Sequence, residues 1–231
     1  MYLYKTLFHK TLLLISACLA TAGLAAAAPV IYYIDANTSS ISGTSGYIDF
    51  QLAPGLAPQD ATAHIEDFST DGSVTGPPVY DFGATLTGGT TGSITSGLIT
   101  MNNVPGNDYF QGFMFQNSFD FAVVLDGPAI ESPTGTAGGS TFALSFYAND
   151  GATPLLTTNT GSSGAPGSTC DGSAGEIFIN ANGTATPMAY ADTNGNYDVG
   201  LMVAPEPRSW LLLLGAAGLG LVFRRRVTKT S

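Results

Sequence analysis

The sequence predicts an all-β fold. The body is expected to be an antiparallel β-sandwich, jelly-roll-like, with a β-barrel as the alternative, set between an N-terminal signal helix and a single C-terminal transmembrane helix. Three observations lead there. Between residues 29 and 204, apolar residues recur with period two in short runs. Gly, Asn and Asp clusters punctuate those runs, and no window of the same stretch has the 3.6-residue period of a helix. The long apolar runs fall at the two ends of the chain. A length of 231 residues suits one such domain plus targeting segments.

Residues 1–28 read as a secretory signal peptide. Lys5, His9 and Lys10 form a basic start, Thr11 to Leu24 an apolar run, and Ala25 to Ala28 a small-residue cleavage region. Cleavage is expected after Ala27 or Ala28, and Pro29 just beyond favours Ala27. Ile15-Ser16-Ala17-Cys18 offers a rival, a lipobox that would make Cys18 a lipidated N-terminus. With residues 1–28 removed, Cys170 would stand without a partner for an intramolecular disulfide.

Residues 29–204 form the expected sandwich domain. Val30–Ile34 is a β-branched and aromatic run. In Gly46–Leu52, Ile48, Phe50 and Leu52 alternate with Tyr47, Asp49 and Gln51, which predicts a half-buried strand with Asp49 facing solvent. Ala61–Phe68 alternates likewise and ends at an Asp71-Gly72 turn; Ile94–Met101 is a further strand. Across Asp108–Asp126, Tyr109, Phe110, Phe113, Met114 and Phe115 are apolar on both faces, and Phe119, Phe121, Val123 and Leu125 line one face. The short polar link Gln116-Asn117-Ser118 between these two strands predicts a hairpin. Thr141–Tyr147, Glu176–Asn180, Thr184–Ala191 and Tyr197–Val203 complete the strands, with turns at Asn149-Asp150-Gly151, Asn182-Gly183 and Asn194-Gly195.

The charges divide sharply. All seven Lys and Arg residues (Lys5, Lys10, Arg208, Arg224, Arg225, Arg226 and Lys229) lie outside 29–204. Sixteen of the 17 acidic residues lie inside it, so the body has a formal charge of −16. A base-free surface excludes nucleic acid as a partner, because phosphate neutralisation needs Lys or Arg. Every body carboxylate must be solvated, hydrogen-bonded or bound to a cation.

Two patterns bear on chemistry. His64, with Glu66 on the same strand face, reads as an exposed surface pair, and the general-base alternative lacks a nucleophile-elbow context. No catalytic residues are expected and no cofactor is required. Asp192, Asn194, Asn196 and Asp198 place oxygen ligands at alternate positions, a weak calcium candidate. The EF-hand pattern fails there, with Tyr197 at position 6 and Val203 at position 12, and an Asn-Gly hairpin turn accounts for the same residues.

Residues 205–231 are tripartite. Pro205-Glu206-Pro207 precede an apolar run, 209–223, and Arg224, Arg225 and Arg226 open a basic tail, 224–231. Trp210–Phe223 would span roughly 21 Å as a helix, short of the ~30 Å hydrocarbon core. The flanking arginines can snorkel, Trp210 suits an interface, and the positive-inside rule puts the C-terminus in the cytoplasm. Pro205 and Pro207 keep the block before the helix extended.

This tail resembles the sorting signal of bacterial PEP-CTERM proteins. The body is similar to a recurring sequence type among them through Gly46–Gln51, Ala61–Ala63, Phe68–Gly72, Tyr109–Phe113, Gly139–Leu144 and Ala152–Thr157. The resemblance implies export across the inner membrane of a Gram-negative bacterium by the translocon. It implies transient anchoring there, then processing by an exosortase near Pro205, Glu206 and Pro207, and delivery to the outer surface or the medium. It further implies a structural or interaction role linked to exopolysaccharide and biofilm. A glycan- or calcium-binding module is the alternative.

Overall fold

The computed structural model describes residues 28–80, 89–104, 107–136, 139–159 and 172–204. Within them the chain is all-β. The strands in order are β1 (Val30–Asn37), β2 (Ser45–Pro54), β3 (Thr62–Thr70), β4 (Ser73–Val74), β5 (Val79–Tyr80), β6 (Thr90–Ser93) and β7 (Leu98–Asn102). They continue as β8 (Asn107–Met114), β9 (Ser118–Asp126), β10 (Ser140–Ala148), β11 (Pro154–Leu155), β12 (Ser173–Ile179), β13 (Ala185–Ala189) and β14 (Val199–Val203). They form two antiparallel sheets. The first runs β14-β1-β9-β3-β7-β6. The second runs β13-β12-β10-β2-β8-β4, with β11 added to β10 and β5 to β8.

The two sheets close on one apolar core, as a β-sandwich does. Alternation decides which side chains enter it. From β2 come Ile48, Phe50 and Leu52; from β3, Ala63 and Ile65; from β9, Phe119, Phe121, Val123 and Leu125; from β10, Phe142, Leu144 and Phe146. Phe50 sits at the junction. Its ring lies 5.1 Å from Phe121 edge-on and 6.2 Å from Phe142, so aromatic contact crosses between the sheets. At one end a fully buried Asn103 ties the layers through polar bonds. Its Oδ1 accepts from the Ala61 amide, and its Nδ2 donates to Gln59 O and Ser140 Oγ.

Four expectations are corrected. First, β8 and β9 are not a hairpin. β8 pairs with β2, β4 and β5 in the second sheet, while β9 lies between β1 and β3 in the first. The Gln116-Asn117-Ser118 link is a corner between layers. Asp71 Oδ1 accepts from the Asn117 and Ser118 amides at 2.8 and 3.0 Å, which satisfies the backbone that a hairpin would have paired. Second, Ile94–Met101 is not one strand. Ile94–Ser96 is a 3-10 turn capped by Ser93, Gly97 is left-handed at φ +81°, and β7 starts only at Leu98; β6, just before, pairs back onto β7. Third, the Asn194-Gly195 turn does not close a hairpin, because β13 and β14 belong to different sheets. Fourth, a single helical turn, Pro128–Glu131, does occur in the body, with Pro128 at its first position.

A bulge explains one failure of alternation. The β3–β9 register shifts between Glu66 and Ser69, where Asp67 takes φ +55°. The extra residue reverses the phase of β3. Phe68, which strict alternation would place outside, then packs against the core beside Phe119 and Phe121.

Among the described residues, no helix is long and apolar enough to cross a membrane. The expected span 209–223 lies outside those residues.

Candidate functional site

Three polar constellations stand out on this frame, and pairing geometry creates each of them. On the outer face of the first sheet, β3 lies between β7 and β9. His64 from β3 reaches Thr100 on β7 with Nδ1 at 3.1 Å from Oγ1, and Asp126 on β9 with Nε2 at 3.3 Å from Oδ2. A carboxylate can only accept, so Nε2 donates toward Asp126, while the hydroxyl of Thr100 can either donate to Nδ1 or accept from it. The expected partnership with Glu66 is replaced by these cross-strand contacts. A hydroxyl–imidazole–carboxylate chain is the arrangement that activates a nucleophile elsewhere. Here it lies along a sheet face. The amides of β3 and β7 near it are committed to ladders with their neighbours, so these strands offer no pair of free donors for an oxyanion. Sequence reasoning missed Thr100 and Asp126, because only strand order brings them to His64.

The outer face of the second sheet carries buried carboxylates. Asp49 on β2 is 3% exposed and stands opposite Ser145 on β10 and Phe110 on β8. Gln51 Nε2 donates to its Oδ2 at 2.6 Å. Its Oδ1 is buried without a hydrogen bond, as is Ser145 Oγ. Burial pushes the Asp49 carboxyl up to about 7; the charge of Asp108 adds to the rise and the Gln51 bond opposes it. Protonation removes the charge that burial penalises. This corrects the expectation of a solvent-facing Asp49. Two strands away, Glu176 is fully buried and accepts from Ser173 Oγ at 2.7 Å and Tyr190 O–H at 2.8 Å. Tyr47 and Phe110 stack alongside with centroids 4.5 Å apart. The available sequence signal is the apolar character of β8 on both faces, which implies cover over this side of the sheet as well.

The third constellation is the link between β13 and β14. Asp192 organises it as an Asx turn. Its Oδ1 accepts from the Asn194 and Asn196 amides at 2.7 and 2.8 Å. Its Oδ2 receives the side-chain amides of the same two residues at 3.2 and 3.3 Å. These bonds, led by the Asn196 amide, hold the Asp192 carboxyl below its ordinary value. Asp198 lies at the end of the loop, 9% exposed, with Oδ2 buried and without a hydrogen bond. Burial and the nearby Asp192 charge raise its pKa. All four expected residues therefore belong to one loop: Asn194 and Asn196 converge on Asp192, and Asp198 brings a buried oxygen that is left unpaired.

Elsewhere on the first sheet, Asp35 and Asp120 face each other across β1 and β9. Burial first, then Asp35, raises the Asp120 pKa. The remaining expected site residues (Ala27, Pro205, Glu206, Pro207, Arg224, Arg225 and Arg226) lie outside the described residues, as do Cys18 and Cys170. Ala28 is described, just ahead of β1. No family model, no curated protein and no solved structure matches this chain.

Proposed function

We propose that this chain is an exported protein of the PEP-CTERM type. In this reading it is passed across the inner membrane of a Gram-negative cell by the translocon and held there by residues 209–223. An exosortase cuts it near Pro205-Glu206-Pro207 and delivers it to the outer surface or the medium. Its jelly-roll-like sandwich then serves a structural or interaction role associated with exopolysaccharide, and it is not an enzyme.

The partition of charge carries this reading: every Lys and Arg lies in the terminal segments, and the body between them is −16. The pairing of the outermost strands supports it. β1 pairs with β14 from Tyr32↔Val203 to Ala36↔Val199, and the Ala204 amide still donates to Ile31 O at 2.8 Å. Removal of 1–28 and of 205–231 would leave these described sheets with all their ladder bonds. The repeated passage of the chain between layers supports the jelly-roll-like topology.

Intact-mass measurement of the secreted protein tests the reading. The expected mass begins near Ala28 or Pro29 and ends close to Pro205-Glu206-Pro207. A secreted species that retains Arg224–Arg226 would overturn it. A second reading, a module that binds glycan or calcium through its loops, is favoured by the oxygen-rich Asp192–Asp198 loop.

A further inference from the structure

We propose that the β13–β14 link is a calcium site in which Asp192, Asn194, Asn196 and Asp198 supply side-chain oxygens to one ion. The inference deepens the calcium reading above and stands independently of the export reading.

Convergence is the first ground. The Asn194 and Asn196 carboxamides both meet Asp192 Oδ2, at 3.2 and 3.3 Å. The oxygen and nitrogen of a carboxamide exchange places by a half-turn about its last torsion. The same backbone then directs two amide oxygens and one carboxylate oxygen toward a common point. Asp192 Oδ1 stays bonded to the loop amides, which fixes the carboxylate while Oδ2 serves the ion.

Asp198 is the second ground, and it does not follow from the turn. A tight Asn-Gly turn needs only Asp192 and the amides beyond it. It gives no reason to bury a further carboxylate at the loop's end and leave Oδ2 without a donor. Burying a carboxylate oxygen without a partner is unfavourable, and residues 29–204 hold no Lys or Arg to offset it. Nearby Asp192 adds a second negative charge. A divalent cation balances both carboxylates and supplies the missing partner.

The donor chemistry selects the ion. Hard oxygen ligands, two of them neutral amides, on a short exposed loop suit the flexible shell of calcium. Magnesium demands a near-ideal octahedron and retains its waters. Two carboxylates and two amides place affinity at the weak end, about 10⁻⁴–10⁻³ M, the range of extracellular modules. The ion also has a structural lever. Asp198 O accepts from the Asn37 amide at 2.8 Å, and Asp198 directly precedes β14, the edge strand of the first sheet. Binding would fasten that edge to β1.

The test uses the purified full chain in detergent after chelator treatment. Calorimetric titration with calcium is expected to give one-site binding, and thermal unfolding a rise in Tm larger than magnesium produces. Asp198→Asn, which keeps the side-chain volume, and Asn196→Leu, which leaves both carboxylates, should each weaken binding at least about tenfold. No heat and no shift in Tm up to about 10 mM calcium, well above the range for such sites, would overturn the proposal. So would variants that titrate like the parent, since the ion would then be bound by diffuse surface charge. The termini found by intact mass have no bearing on either result.

Discussion

Asp49 shows how one side chain sets a condition on the whole fold. Its folded-state pKa of about 7 lies above that of an unfolded Asp, about 3.9. Between these values the folded protein keeps a proton that the unfolded chain releases. Its contribution to stability is complete below about pH 4, declines as pH rises toward 7, and is level above that. Linkage puts the loss on the order of 4 kcal/mol. Other carboxylates titrate with both signs: Asp120 is raised, whereas Asp71 and Asp150 are lowered by hydrogen bonds from backbone and side-chain donors. The informative quantity is therefore a difference between variants. Asp49→Asn keeps an acceptor for Gln51 and carries no charge. It should be more stable than the parent at pH 8 and lack this part of the pH slope, as read by urea unfolding at several pH values. An Asp49→Asn protein that is less stable than the parent at pH 8 would contradict the burial argument.

At the scale of elements, the crossings between layers decide the architecture. β2 is the case in point. It lies between β10 and β8, and its neighbours approach closely where it begins. A Cβ on Gly46 would collide with the Tyr147 carbonyl of β10 and come within 2.8 Å of the Phe115 ring. Neither can retreat, because the carbonyl belongs to the central ladder and the ring to the core. Gly46→Ala should cost about 3 kcal/mol. Gly200→Ala on edge strand β14 is the control: its Cβ would meet only Asp35 O at 3.8 Å, and a change within about 0.5 kcal/mol is expected. Denaturation midpoints distinguish them, and equal costs would show that backbone entropy rather than close approach governs both sites.

For the molecule as a whole, the dominant fact is charge of one sign. The body's carboxylates have no Lys or Arg to pair with, and His64 is the single basic side chain in 29–204. Some acids face each other directly, as Asp35 and Asp120 do. Self-repulsion on this surface is long-ranged at low ionic strength and is screened within about 8 Å at about 0.15 M salt. Tm should therefore rise when sodium or potassium chloride is increased from about 10 mM to about 150 mM with a chelator present. A flat or falling Tm would mean that the carboxylates are already neutralised by protons or by retained cations.

Much of this was legible in the sequence. The period-two runs pick out Ile48, Phe50 and Leu52, then Phe119 and Phe121, then Phe142, Leu144 and Phe146, and all of these side chains are buried. Alternation is a local property of an extended chain, so sequence alone determined the fold class, most strands and the partition of charge. The Asp192–Asp198 loop was visible for the same reason, since its ligand-type residues are contiguous. Strand order was not. A short polar link serves equally as a hairpin turn within one sheet or as a corner between two, and only the competition among distant partners for each strand's amides and carbonyls selects one. That competition sent β8 and β9 to opposite layers, set Asp126 and Thr100 against His64, and left Asp49 buried on the second sheet. Tertiary structure decided these because hydrogen-bond pairing and burial depend on what arrives from elsewhere in the chain.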